Sequence, residues 1–242
     1  MAALTAMTHL IGSLALLLLV ASSTAAAASI PRSVFVAANG DDGAVGDATH
    51  PWRSLARLAN LTLTPGDTIY LHAGDTWREP LVLVGSAPKR LPQAAAASPP
   101  PSPVRILSTA ALAGTGATAV VPRPTIRLDG SRTANDDSQW AVHTSGIAWL
   151  TIEGLAIEQS TSGISVTVDP KTHGASNGSY YGGGVVEVAD CVFRGVWNRS
   201  SDGQLDHIGK SKCDVAVTPC IVAGNVASVT VRGCLFDDFG AR

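Results

Sequence analysis

Three stretches decide the fold: AWLTIEGLAIEQS at 148–160, GVVEVADCVFRGV at 184–196 and ASVTVRGCLFDDF at 227–239. Laid over one another, they match Leu150 with Val186 and Val229, and Ile152 with Val188 and Val231. Leu155, Cys191 and Cys234 then correspond, followed by Ile157, Phe193 and Phe236. Apolar residues two apart mark strands with one buried face, because successive strand side chains point to opposite sides. Between the apolar pairs, Gly154, Asp190 and Gly233 share one position, and Gly and Asp tolerate the backbone angles of a tight corner. One unit is too short to bury its own apolar face. Stacked in parallel about 4.8 Å apart, equivalent residues form inner ladders and each unit covers the next. The reading is all-β: a parallel β-solenoid over residues 33–242.

Outward from the repeats, Leu155, Cys191 and Cys234 lie 36 and 43 residues apart. That exceeds a minimal coil, so DPKTHGASNGSYYGGG at 169–184 and NRSSDGQLDHIGKSKC at 198–213 should bulge outward, where solenoids carry function. Residues 88–103, PKRLPQAAAASPPPSP, are a low-complexity surface insertion that builds no core. Toward the N-terminus, Ser33–Ala37, TIYLHAG and EPLVLVGS read as strands, with Ile69 and Leu71 facing one side and Tyr70 and His72 the other. Pro51 can open a helix, and Trp52, Leu55, Leu58 and Leu61 give it one apolar face. We expect that helix to cap the first coil. The preceding Asn39–His50 loop holds Asp41, Asp42 and Asp47, which either turn the chain or offer oxygen ligands to calcium.

The 242 residues are 45% hydrophobic and 15% charged, enough for one sizeable domain. A net charge of -2 leaves no basic footprint for nucleic acid. Residues 1–28 read as a signal peptide: Leu10–Val20 is a short apolar run, followed by small residues around Ala25–Ala28. We therefore expect secretion, no membrane association after signal removal, and a monomer. Asn60, Asn177 and Asn198 each open an N-x-Ser/Thr triplet and are expected glycosylation acceptors. In an oxidising compartment, Cys213 and Cys220 bracket a short loop suited to a disulfide. Cys191 and Cys234 read as stacked free thiols in the core, with a disulfide between adjacent coils as the rival.

The blocks FVAANGDDGAVGDATHPWRSLARL at 35–58, PGDTIYLHAGDTWREPLVL at 65–83 and TIRLDGS at 125–131, together with the three repeats, resemble the pectin-lyase-like right-handed parallel β-helix proteins. The resemblance runs from about Val34 onward, outside the proline-rich insertion. It implies a right-handed solenoid and extracellular polysaccharide chemistry: lyases, hydrolases and epimerases on uronate- or galactose-containing polymers, or adhesins without catalysis. Fold does not choose among these. Such proteins usually stack many coils, whereas this sequence stops at LFDDFGAR, just past a repeat, so we expect the first coils of a longer protein.

A lyase removes a proton beside a uronate carboxylate and needs a base and a cation. His207, Lys210 and Lys212, with Arg199, are the candidates, and Asp202, Asp206 and Asp214 the candidate calcium ligands. The same loop reads more simply as a solvated, glycosylated surface, since mixed charges are normal there. A hydrolase needs two carboxylates about 5 to 9.5 Å apart. Asp237 and Asp238 are adjacent, so on a strand they face opposite ways. Glu153 and Glu187 should face outward from equivalent positions, a like-charge contact unless a cation bridges them. The rival to both enzymes is a non-catalytic carbohydrate-binding or structural module.

Overall fold

The computed structural model describes residues 30–86, 102–113, 122–128, 140–160, 162–167, 184–198, 214–218, 221–224, 226, 228–237 and 240–241. Among these, regular structure is nearly all strand, with two short 3-10 helices and no α-helix. One sheet runs in the order β1 (Ser33–Val36), β3 (Thr68–Leu71), β6 (Val104–Ser108), β9 (Trp149–Glu153), β12 (Val185–Ala189) and β17 (Ser228–Arg232). A second runs β4 (Thr76–Trp77), β7 (Thr125–Arg127), β10 (Ala156–Glu158), β13 (Val192–Arg194) and β18 (Leu235–Asp237). The third runs β2 (Thr62–Leu63), β5 (Leu81–Gly85), β8 (Trp140–Ser145), β11 (Ser162–Thr167), β16 (Ile221–Gly224) and β15 (Asp214–Thr218). A further pair joins β14 (Trp197–Asn198) to β19 (Gly240–Ala241). From β3 to β11 the chain visits the three sheets in turn, and each strand pairs in parallel with the one laid down a circuit earlier. Only β15 is antiparallel, lying against β16 at the sheet edge.

The register is the one expected from the repeats. Val186 faces Leu150 and Val229, and Val188 faces Ile152 and Val231. In the second sheet Phe193 faces Ile157 and Phe236. The first sheet's central column extends further, through Ile106 and Ile69 to Val34. Ile69, Ile106, Ile152 and Val188 are fully buried. Burying each such side chain is worth roughly 1.5–3 kcal/mol, so the column is a main source of stability. In-register stacking also repeats rotamers: the Phe193 and Phe236 rings lie 4.9 Å apart and 4° from parallel.

The shared corner position behaves as its residues predict. Gly154, Asp190 and Gly233 have φ of 76°, 51° and 62°, the left-handed region that L side chains rarely adopt. A Cβ on Gly233 would also fall 2.1 Å from Asp190 Oδ1. Gly233→Val therefore meets both backbone strain and a displaced Asp190. It should lower stability by roughly 1–3 kcal/mol in urea unfolding, and an unchanged midpoint would refute the corner assignment.

The capping helix is corrected. Only Leu55–Asn60 is helical, as a 3-10 helix. Trp52 is extended instead, bridging Val36 and donating its backbone N–H to the Phe35 carbonyl. Asp42 accepts the N–H groups of Arg53 and Ser54, and Glu79 accepts that of Leu55, so side chains hold the chain open before the turn. Leu55 and Leu58, both fully buried, are three apart. A strict spacing of three stays in line on a 3-10 helix and drifts on an α-helix. Residues 1–29 and 87–101, covering the expected signal peptide and most of the insertion, lie outside the described residues. No helix among the described residues is long and apolar enough to cross a membrane.

Candidate functional site

The outward face of the first sheet gathers the described residues best suited to hold a ligand. Strand alternation puts two rows there. One holds Ser33, Thr68, Arg105, Thr151, Glu187 and Thr230; the other holds Phe35, Tyr70, Leu107, Glu153, Ala189 and Arg232. Phe35 and Tyr70 stack at 4.7 Å and 16°, each partly exposed. At the other end, Arg232 Nε donates to Glu187 Oε1 at 2.6 Å, and its Nη1 lies 3.4 Å from Asp190 Oδ2. The hydrogen bond with Glu187 pushes the Arg232 pKa up, with Asp190 and Glu153 adding in the same direction.

Glu153 and Glu187 are not equivalent, which corrects the sequence reading. Glu187 pairs with Thr151, and Glu153 with Ala189. They are two residues out of step, about 8 Å apart at Cα by strand geometry, so they are diagonal neighbours. The cation near them is the Arg232 guanidinium from the next strand. Sequence reasoning missed Arg232, although its alignment with Ala189 placed it one strand from Glu187. Among the described residues no three His, Cys, Asp or Glu side chains converge as metal ligands.

The second sheet carries an alternating outward row. Arg127 bonds Glu158, Arg194 lies 3.7 Å from Glu158, and Arg194 Nε reaches Asp237 Oδ2 at 3.2 Å. Asp237 is thus an ion-pair partner; Asp238 lies outside the described residues.

The acidic N-terminal loop uses its carboxylates on backbone N–H groups. Asp41 accepts from Gly43, Asp47 from Thr49 and His50, and Asp42 from Arg53, Ser54 and the Ser54 hydroxyl. The Ser54 N–H bond leads in holding Asp42 below its ordinary value, and the Thr49 hydroxyl leads for Asp47. Arg57 lies 5.3 Å over the Trp52 ring, whose Nε1 donates to the Ala44 carbonyl. These contacts are turn chemistry.

The remaining sequence candidates are scattered. Arg199, Asp202, Asp206, His207, Lys210, Lys212, Cys213, Cys220 and Asn177 lie outside the described residues. Asp214 opens β15, and Asn198 ends β14. Asn60 ends the 3-10 helix, exposed. Cys191, buried, and Cys234, partly buried, are not joined to each other in this structure.

No protein-family model matches the chain, and no curated protein matches it by sequence. Among solved structures it is similar to the GH136 lacto-N-biosidase from Eubacterium ramulus: the selenomethionine derivative is 15% identical with a TM-score of 0.46 over 85% of this chain and 34% of that one. The native form of that protein is 14% identical with a TM-score of 0.41. A rhamnogalacturonan lyase is 12% identical with a TM-score of 0.31 over 87% of this chain and 51% of that one. The chain spans about a third of the biosidase and about half of the lyase.

Proposed function

We propose that this chain is part of a right-handed parallel β-helix, secreted and glycosylated at Asn60, Asn177 and Asn198, that acts on an extracellular polysaccharide. Right-handedness follows the strong preference of parallel crossover connections. The observation that supports the ligand class is the outward face of the first sheet. It carries one stacked aromatic pair, Phe35 and Tyr70, at one end and the exposed or half-exposed Arg105, Glu153, Glu187 and Arg232 further along, with Leu107, Thr151 and Ala189 buried between them. Aromatic faces suit the C–H faces of sugar rings, and the polar rows suit hydroxyl and carboxylate groups repeated along a polymer. In the catalytic form of this reading, a polysaccharide lyase or glycoside hydrolase, His207, Lys210 and Lys212 supply base and cation, and Asp202, Asp206 and Asp214 hold calcium. The second reading, a non-catalytic binding module, is favoured by the pairing of Glu187 with Arg232, because a carboxylate held by a guanidinium is a poor base.

The test is incubation of the purified protein with pectate, alginate and glycosaminoglycans, scoring bound polymer and new unsaturated or reducing ends. Cleavage that Lys210→Ala or His207→Ala reduces at least tenfold supports the catalytic form. Retention without product supports the binding module, and should weaken severalfold in Tyr70→Ala. Neither retention nor product on any acidic polymer overturns the proposal.

A further inference from the structure

We propose that Cys191 and Cys234 are the two halves of a disulfide that staples consecutive circuits of the chain. The two residues are 43 apart in sequence and occupy equivalent corner positions, each one residue before the paired strands β13 and β18. Leu235 donates its N–H to the Cys191 carbonyl at 2.9 Å, which locks them side by side. In-register parallel neighbours sit about 4.8 Å apart at Cα, inside the roughly 4.4–6.8 Å range that a disulfide spans. Cys234 Sγ reaches toward Cys191, 3.5 Å from its backbone nitrogen, while Cys191 Sγ points one circuit further back, 3.9 Å from the Ile152 carbonyl, so closing the bond takes a rotation of Cys191 about χ1. Both thiols also line up with the carbonyl two residues before them, Cys191 with Ala189 at 3.2 Å and Cys234 with Arg232 at 3.4 Å. The other residue of this inner column is Leu155, so the two sulfurs are the only chemistry it holds among the described residues.

The two thiols differ in the way stepwise oxidation requires. Cys191 is fully buried, whereas Cys234 is partly exposed. The hydrogen bond from Cys191 holds the Cys234 thiol below its ordinary value against the effect of burial, so it is the thiol that ionises first. That same bond, with burial, pushes Cys191 well above its ordinary value. Cys234 is therefore the attacking sulfur and Cys191 the resolving one. With a small disulfide such as oxidised glutathione, the Cys234 thiolate attacks one sulfur and expels a glutathione thiolate. Cys191 then loses its proton to solvent and attacks Cys234 Sγ, expelling the second glutathione. The protein gives up two hydrogens, and the glutathione disulfide takes them up.

The oxidising compartment belongs to the secretion proposed above, but the test needs neither secretion nor polysaccharide. Unglycosylated full-chain protein is equilibrated with oxidised glutathione, alkylated and digested with trypsin without reduction. Cleavage after Lys171, Arg194, Lys212 and Arg232 puts Cys191 in peptide 172–194 and Cys234 in the peptide starting at Gly233, apart from Cys213 and Cys220, which share peptide 213–232. The expected product is 172–194 joined to the Gly233 peptide, two hydrogens lighter than their sum. The oxidised protein should also melt several degrees higher than the reduced one, a shift that Cys234→Ser removes. Alkylation of both peptides after full equilibration overturns the proposal. So does cross-linking of either one to peptide 213–232.

Discussion

Val188→Asp should abolish cooperative unfolding of the repeat region, while Thr230→Lys, on the adjacent strand, should leave stability within about 0.5 kcal/mol of the parent. Val188 is fully buried between Ile152 and Val231 in the central column. An aspartate there finds no partner in an apolar stack, and must either bury a charge or take up a proton and bury an unsatisfied carboxyl. The expected cost is about 4–5 kcal/mol or more, a large part of the 5–15 kcal/mol that holds a typical domain together. Thr230 is exposed in an outward row and pairs in register with Glu187, so a lysine there meets water and a carboxylate. Urea denaturation followed by far-ultraviolet circular dichroism reads both variants. Because each circuit touches mainly its neighbours, hydrogen exchange should show protection lost first in β9, β12 and β17, and retained longer in β1 and β3. A Val188→Asp protein as stable as the parent, or a Thr230→Lys protein as damaged, would mean that inside and outside have been exchanged.

The part of the fold legible in the sequence is the part set by period-two burial. A one-residue slip turns every inner side chain outward, so three aligned repeats leave a single workable register, and the observed pairs follow it. The corner residues are legible for a similar reason: Gly154, Asp190 and Gly233 answer one backbone demand three times. The same pattern misled where the period was three. Trp52, Leu55, Leu58 and Leu61 suggested an α-helix, yet the 3-10 geometry and the capture of Arg53 and Ser54 by Asp42 both depend on groups that local spacing does not weigh. The candidate face was legible only in outline. Outward orientation of Glu153 and Glu187 follows from alternation, but their partners depend on side-chain reach between strands 45 residues apart, as in the Arg232–Glu187 bond. The stretch 199–213, which holds all the lyase and calcium candidates but Asp214, has no sequence period to read.

Asp67→Ala should cost roughly 1–3 kcal/mol and flatten the acid limb of the stability profile. Arg105 donates its N–H to the Asp67 carbonyl, and Thr68 pairs with Arg105, so Asp67 stands level with Val104 in the inner column that continues through Leu150 and Val186. It is nonetheless an aspartate, only 1% exposed. One carboxylate oxygen accepts the Arg32 N–H at 2.9 Å; the other accepts the Arg32 guanidinium at 2.7 Å and the Thr64 N–H at 2.9 Å. An apolar column thus ends in an ion pair that ties the segment entering β1 to the Thr64–Asp67 turn. Alanine leaves the Arg32 and Thr64 N–H groups without their acceptor, while the half-exposed guanidinium keeps the Thr62 carbonyl and water. Burial alone would raise the Asp67 pKa, but the Arg32 guanidinium and the two N–H donors outweigh it and hold the group below the ordinary carboxylate value. A depressed folded pKa stabilises the fold fully above the unfolded value, and the benefit fades as pH falls through the folded one. The parent should therefore lose stability on acidification below about pH 3.8 more steeply than Asp67→Ala or Asp67→Asn; Asp42 and Asp47, also depressed, keep some slope in every variant. Thermal midpoints between about pH 2 and 6 decide it. Parallel curves for parent and variants would remove Asp67 from the acid response, and a midpoint unchanged at neutral pH would show that this end of the column needs no ion pair.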